Sequence, residues 1–190
     1  MELEIENLNS EWNNKYPGYR PVAEELRNYF PDRWIRFHSL AGSERYPQTD
    51  DDYATILNRN NALLEELEPG ASIVVVISAW IDSTNARPNL KEMPEAIYWQ
   101  TLDPVSDESN TQGFRQLYAA RLPWKSGALN ELLRSVADDQ TAGVIIAPDD
   151  LRWLYHPYDG GVDIIVGSEA ERNELKDRHQ EWLSPRPDGL

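Results

Sequence analysis

The 190-residue chain contains no cysteine. Its absence excludes disulfides, zinc–thiolate sites and thiol nucleophiles from this sequence. Long apolar stretches are also missing, because the longest run, residues 73–77, is far shorter than the roughly 20 residues of a membrane-spanning helix. The first residues, MELEIENLNSEW, lack the basic and apolar regions of a secretory signal peptide. The sequence therefore predicts a cytoplasmic protein with no membrane partner.

Basic residues are scarce relative to acidic ones. The chain has 18 Lys and Arg against 33 Asp and Glu, a formal net charge of −15 at pH 7. A field of that sign repels nucleic acid and anionic membrane surfaces and attracts basic partners. Such a charge also serves solubility alone, and composition does not separate the two explanations.

The sequence predicts an N-terminal helical arm (1–31), a single α+β domain (32–183) and a flexible tail (184–190). In the arm, the spacing of Ile5, Leu8 and Trp12 predicts a short helix. Pro21 suits the first position of a second one, because the missing amide hydrogen is not needed there.

Alternating and short apolar runs predict a mostly antiparallel sheet of five to seven strands with helices packed against it, which is an α+β fold. Thr49 is the expected N-cap of the longest helix, and Ser168 with Glu171 resembles a capping box. Residues 82–95 and 103–113 are predicted to be loops. The predicted strands cover residues 33–40, 72–80, 96–102, 115–124, 143–147, 151–155 and 162–166.

The most informative segment, residues 152–163, reads RWLYHPYDGGVD. Its aromatic and charged side chains surround an Asp159-Gly160 hairpin signal, for which Asp159 would supply the left-handed conformation. A hairpin tip with so many amphipathic side chains is either wedged into the fold or in contact with a partner, and the sequence leaves both open.

Two segments, WIRFHSLAGSERYP (34–47) and LRWLYHPYDGGVDII (151–165), resemble an uncharacterised family of small acidic bacterial proteins known as a domain of unknown function. The resemblance covers roughly residues 33–183. Family members have Pro where Ala41 stands and a basic residue where Glu44 stands. The resemblance implies a shared fold and no catalytic residues.

Signatures of catalysis are weak. The chain has no G-x-S-x-G elbow and no phosphate-binding P-loop. A cation could be bound by His156, Asp159 and Asp163, with His38 as a further ligand. A role in the turn explains His156 and Asp159 more simply. His179 is expected to be a buried histidine of the last helix. We predict no catalytic residue, no metal and no cofactor.

The first functional hypothesis is a non-enzymatic bacterial binding protein, in its sharper form an immunity- or antitoxin-type inhibitor of a basic protein. The alternative is a small-anion-binding enzyme or ligand sensor with a pocket between residues 34–47 and 152–163. A third possibility is a homodimer, and the oligomeric state is left open. The residues proposed for ligand or partner binding are Arg36, His38, Arg45, Tyr46, Arg152, Trp153, His156, Tyr158 and Asp159.

Aromatic residues on the predicted strands suggest a docking surface. If helices cover one face of the sheet only, these rings would line the other face. For most of them individually, a place in the core is the simpler expectation. The residues are Trp34, Trp80, Trp99, Tyr118, Trp124, Trp153 and Tyr155.

Overall fold

A computed structural model describes residues 5–81, 90–102, 114–184 and 186. Seven strands lie in this part of the chain: β1 (Trp34–His38), β2 (Ser72–Ile81), β3 (Ile97–Leu102), β4 (Phe114–Pro123), β5 (Val144–Pro148), β6 (Leu154–Tyr158) and β7 (Gly161–Ile165). They form one antiparallel sheet in the order β1-β7-β6-β5-β2-β4-β3. The α+β prediction is confirmed.

Five α-helices accompany the sheet in the described residues: α1 (Ile5–Lys15), α2 (Leu26–Tyr29), α3 (Asp50–Glu66), α4 (Asn130–Ala137) and α5 (Glu169–Arg178). Thr49 and Asp52 form a reciprocal capping box at the start of α3. Ser168 caps α5 by accepting from the Glu171 amide. The predicted second helix of the arm is only a 3-10 turn followed by the four residues of α2.

One face of the sheet packs against α3, α4 and α5 in the larger hydrophobic core. Asn60, on the inner side of α3, interrupts that core. It accepts from the Tyr155 hydroxyl at 2.7 Å and donates to Ile56 O at 2.8 Å, so both ends of its buried amide are hydrogen-bonded. His179 follows α5, where its ring stacks on Trp182 and contacts Glu66.

The opposite face of the sheet, called here the second face, is partly covered by the N-terminal arm. Leu8, Trp12 and Tyr16 are buried there with side chains of β2, β4 and β5, and the Tyr16 hydroxyl donates to Leu151 O at 2.6 Å. The condition for an aromatic docking surface, that helices cover only one face of the sheet, is therefore not met. The polar end of the second face, near β6, carries the candidate site.

Most of the two predicted loops and of the predicted tail lies outside the described residues. Within residues 90–95, Met93 is buried in the larger core. In the part of the chain that is described, no helix is long and apolar enough to cross a bilayer.

Candidate functional site: a polar cavity on the second face

Strand pairing brings the two segments singled out in the sequence together. Arg36 of β1 lies opposite Asp163 of β7, and Asp163 lies opposite His156 of β6. The three residues therefore form one row across adjacent strands, all on the second face. The segments 34–47 and 152–163 are neighbours in space, as the pocket hypothesis required.

Arg36 and Asp163 form a two-pronged ion pair. The guanidinium Nε and Nη2 donate to the two carboxylate oxygens at 2.7 and 2.9 Å, and the side chains are 14% and 7% exposed. Burial alone would lower the pKa of Arg36, but the hydrogen bonds and charge of Asp163 outweigh it and the pKa is raised. The rings of Trp34 and Tyr158 flank the guanidinium. Both oxygens of Asp163 thus hold the Arg36 guanidinium.

His156 is the buried histidine of the site, with 8% of its surface exposed. Burial lowers the pKa of its imidazole, so the ring is neutral at pH 7. Nδ1 lies 2.9 Å from Val144 O, and because a carbonyl only accepts, Nδ1 carries the proton. Nε2 is then an acceptor, and no described residue donates to it.

A cavity of about 390 Å³ opens beside His156. Gly143 lines it with a φ of +65°, and a Cβ at this position would lie 1.9 Å from Ser78 Oγ. A glycine is therefore needed for both the backbone conformation and the space. The hydroxyls of Ser78 and Tyr158 also line the cavity and have no partner among the described residues. The other lining residues are Glu24, Arg45, Trp80, Arg115, Val136, Asp139, Thr141, Ala142 and Asp159.

Charges around the cavity are unevenly compensated. Glu24 pairs with Arg115, and Asp159 pairs with Arg45 at 2.5 Å. Asp139, which follows α4 with a φ of +55°, has no ion-pair partner among the described residues. Three carboxylates and two guanidinium groups thus line the cavity together with the acceptor nitrogen Nε2 of His156, and Arg45 also attracts Asp139 electrostatically.

The Asp159-Gly160 tip is held against the β1 side of the sheet. Ser39 N donates to Gly160 O at 3.1 Å, and Arg45 reaches the Asp159 carboxylate from the segment after β1. Neither tip residue has a positive φ, so the expectation that Asp159 supplies a left-handed conformation was wrong. Its carboxylate, 5% exposed, is instead part of the cavity wall. Tyr46 lies beside Arg45, and a hydrogen bond with Asp159 raises its pKa.

Arg152 and Trp153 lie apart from this cavity. The Trp153 indole donates to Leu67 O at 2.8 Å, and Arg152 donates to Leu67 O and Glu68 O, so both satisfy carbonyls at the end of α3. They line a separate cavity of about 250 Å³ with several glutamates. Contrary to the prediction, Arg152 and Trp153 therefore do not share a pocket with Arg36.

His38 lies in the same strand as Arg36, opposite Gly161, and does not line the cavity in the described residues. Burial and the nearby charges of Arg36 and Arg59 lower its pKa. No group of three or more metal-ligating side chains is found in the portion that the structure describes. The set of His38, His156, Asp159 and Asp163 is not gathered into such a site.

The proposed aromatic docking surface does not exist as one surface. Trp99, Trp153 and Tyr155 are buried in the two cores. Trp34, Tyr118 and Trp124 are half-buried. Trp80 alone of the seven is exposed, at 49%, and its ring stacks on Arg115 at the cavity.

Several cavity residues were missed from the sequence. Ser78, Asp139 and Gly143 come from three different elements, and no local motif joins them. The available signals were the Asp138-Asp139 pair and the glycine at the start of the predicted strand 143–147.

Comparison with known proteins gives one family match. A family model described as a domain of unknown function, DUF3885, matches residues 22–187, which is most of the chain. No curated protein and no solved structure matches the chain. The arm helix α1 lies before the matched region, and the whole cavity lies within it.

Proposed function

The chain belongs to the DUF3885 family, and we propose that it is a non-enzymatic bacterial binding protein whose cavity beside His156 receives a basic side chain of a partner protein. In its sharper form the proposal is an immunity- or antitoxin-type inhibitor acting in the cytoplasm. The observation that carries this proposal is the lining of the cavity, in which three carboxylates face two arginines and the neutral His156.

A cationic donor complements this cavity. Asp139 supplies a carboxylate without an ion-pair partner in the described residues, and neutral His156 supplies an acceptor nitrogen. Lysine and arginine carry only donors, whereas an anion would bring further acceptors. The Ser78 hydroxyl, which borders Gly143 in the same cavity, can accept from the same group.

The net charge of −15 supports the same proposal at long range. A negative field steers a basic protein toward the surface and speeds its association, most strongly at low salt. The cavity then adds a specific contact to this general attraction. An inhibitor that places carboxylates into the basic site of a toxin would use both effects.

The small-anion alternative is less well supported by the charges. Arg45 and Arg115 are the two arginines of the cavity wall, and each pairs with a carboxylate. Arg36 is held by both oxygens of Asp163. An anion would therefore have to compete with an existing carboxylate for any of these guanidinium groups.

The test compares capture of partners by wild type and by Asp139→Asn. Asparagine tolerates the positive φ of this position, so the variant removes the charge and keeps the backbone. We expect wild-type protein immobilised in native lysate to retain a basic protein, identified by mass spectrometry, and Asp139→Asn to retain at least about tenfold less.

Asp177→Asn is the matched control, because Asp177 is an exposed residue of α5 outside the cavity lining. It should retain the partner as wild type does. An equal loss of partner binding in both variants would show that binding depends on net charge and not on this cavity. If wild type captures no basic protein, the proposal is contradicted.

A further inference from the structure

The two edge strands of the sheet differ in how they are protected against pairing. β1 and β3 lie at the two ends of the strand order, so each pairs with a single strand in the part of the chain that is described. β1 carries the charged Arg36 and has no exposed side chain. β3, with the sequence IYWQTL, has no charge and no proline, and three of its six side chains are exposed. Charge and proline are the usual protection of a natural edge strand, and β3 has neither.

Exposed hydrophobic side chains gather at the β3 edge. Six large hydrophobic side chains are exposed in the described residues, and three of them, Ile97, Tyr98 and Phe114, belong to β3 and β4. Ile97 and Tyr98 are neighbours in β3 and therefore point to opposite faces of the sheet. Tyr98 lies opposite Tyr118 of β4, with the ring centroids 6.0 Å apart. Each face of the sheet thus presents a hydrophobic group at this edge, which a further strand would cover.

The backbone of β3 offers hydrogen bonds to such a strand. An antiparallel ladder uses the N–H and C=O groups on one side of a strand, and those on the outer side of an edge strand are left for solvent or another chain. The register with β4 shifts at Trp99, and residues 100–102 then pair regularly. A bulge of this kind bends the edge strand. It adds no charge that would repel a neighbour.

A second copy of the chain suits this edge better than a basic partner does. A basic protein is attracted by carboxylates, and β3 has none. Two copies of one strand related by a two-fold axis pair antiparallel through the same surface. The net charge of −15 makes two acidic surfaces repel each other, whereas the side chains of β3 add nothing to that repulsion. The distribution of charge therefore favours β3 as the strand along which two molecules meet.

We propose that two copies of the chain pair through their β3 strands and join their seven-stranded sheets into one continuous sheet. Ile97 and Tyr98 of each copy are then covered by β3 of the other. One pair of six-residue strands makes a small interface, so the dimer is transient, with a Kd of about 10–100 μM. The dimer is separate from the proposed function, because no β3 residue is among the described residues that line the cavity beside His156.

Sedimentation velocity of the full chain, in a concentration series up to about 1 mM, measures the association. Wild type should dimerise reversibly. Tyr98→Lys should raise the Kd at least about tenfold, because each dimer contains the change twice and an edge lysine disfavours strand pairing.

Tyr19→Lys is the matched control. Tyr19 is also an exposed tyrosine, at 38% against 49% for Tyr98, and its ring packs on Tyr29 and Phe30 of the arm. The control adds the same charge as Tyr98→Lys and should leave the Kd within about twofold of wild type.

A second variant covers the case in which Tyr98→Lys does not fold. Thr101→Lys changes another exposed residue of β3 and should weaken the dimer by a similar factor. Circular dichroism checks the fold of each variant. Amide hydrogen exchange locates the interface: the β3 amides of wild type should exchange at least about threefold more slowly in the concentrated sample than in the dilute one.

Salt separates the dimer from the capture of a basic protein. Two molecules with a net charge of −15 repel each other, so raising NaCl from about 0.05 to about 0.5 M should strengthen the dimer. The same change should weaken the attraction of a basic partner. Asp139→Asn should reduce retention of that partner and leave the dimer unchanged, so either proposal can fail without the other.

Three results would overturn the dimer proposal. If wild type stays monomeric throughout the series, the edge is left to a strand of another protein or to a segment of the same chain. If Tyr98→Lys and Thr101→Lys both dimerise as wild type does, the interface lies elsewhere. If Tyr19→Lys weakens the dimer as much as Tyr98→Lys, the added charge and not the β3 edge is responsible.

Discussion

Two arginine–aspartate pairs join the β1 region to the β6–β7 hairpin, and they differ in almost every physical respect. Arg36 and Asp163 face each other on neighbouring strands, are both nearly buried, and form two hydrogen bonds. Arg45 comes from a loop, is mostly exposed, and makes one bond to Asp159. The strand register fixes the first pair, whereas the second joins the segment after β1 to the hairpin tip and is accompanied by a hydrogen bond between Tyr46 and Asp159.

The difference lies in the arginine of each pair and not in the aspartate. A buried charge is stable only while its partner remains, because alone it would be desolvated without compensation. Asp159 and Asp163 are both buried, at 5% and 7% exposure, whereas the Arg45 side chain is 65% exposed and that of Arg36 is 14% exposed. Loss of Arg45 therefore leaves a buried carboxylate, but one that Tyr46 still hydrogen-bonds.

The strongest way to break this comparison is Asp163→Ala. It leaves Arg36 buried beside Tyr158 without a counter-charge, so we expect the free energy of unfolding to fall by about 3–5 kcal/mol. Urea denaturation followed by tryptophan fluorescence measures the change. The matched variant Arg45→Gln should cost less than Asp163→Ala, because the lost guanidinium is 65% exposed and Tyr46 still hydrogen-bonds the Asp159 carboxylate. Similar costs in both variants would show that the two pairs are equivalent.

A smaller effect is expected from Gly143→Ala, which adds a methyl group to the cavity wall and leaves both ion pairs in place. The methyl group meets Ser78 Oγ and the alanine backbone must keep a positive φ, so unfolding should become easier by about 1–3 kcal/mol. N-acetyl-arginine methylamide, a small arginine probe, should bind the folded variant more weakly than wild type. Unchanged probe binding in this variant would place the cation site elsewhere.

The smallest effect is a pH dependence of the free energy of unfolding, which comes from His156 and not from either ion pair. Its pKa in the folded state lies below the ordinary value of about 6.5, so below that pH the unfolded chain binds a proton that the folded protein does not. Stability should therefore fall as pH drops from 7.5 toward 5.5. His38 acts with the same sign.

The matched variant for this pH effect is His156→Gln, measured by urea denaturation at both pH values. Its loss of stability between pH 7.5 and 5.5 should be smaller than that of wild type. A loss equal to wild type would show that His156 contributes nothing to the pH dependence.

Much of the fold could be predicted from the sequence, because it depends on local patterns. Thr49 predicted the start of α3, and Ser168 with Glu171 predicted the start of α5. The position of the arm on the sheet could not be predicted, because the spacing of Leu8 and Trp12 indicates a helix but not the sheet face that it covers.

The site was predicted in part. The neighbouring segments 34–47 and 152–163 were found because hairpin signals and alternation indicate which strands pair. Arg152 and Trp153 were misplaced, although strand alternation puts Trp153 and Tyr155 on the face opposite His156 and Tyr158. Ser78, Asp139 and Gly143 could not be grouped, because only the strand order β6-β5-β2 brings their elements together.

The most direct measurement is the long-range nitrogen–proton NMR spectrum of the His156 imidazole, recorded with and without the arginine probe. The account predicts a neutral ring protonated on Nδ1 in both cases, with the Nε2 resonance moving as a donor group binds. If the Nε2 resonance does not move at saturating probe concentration while resonances of residues near Trp153 do, a cation site in this cavity is contradicted.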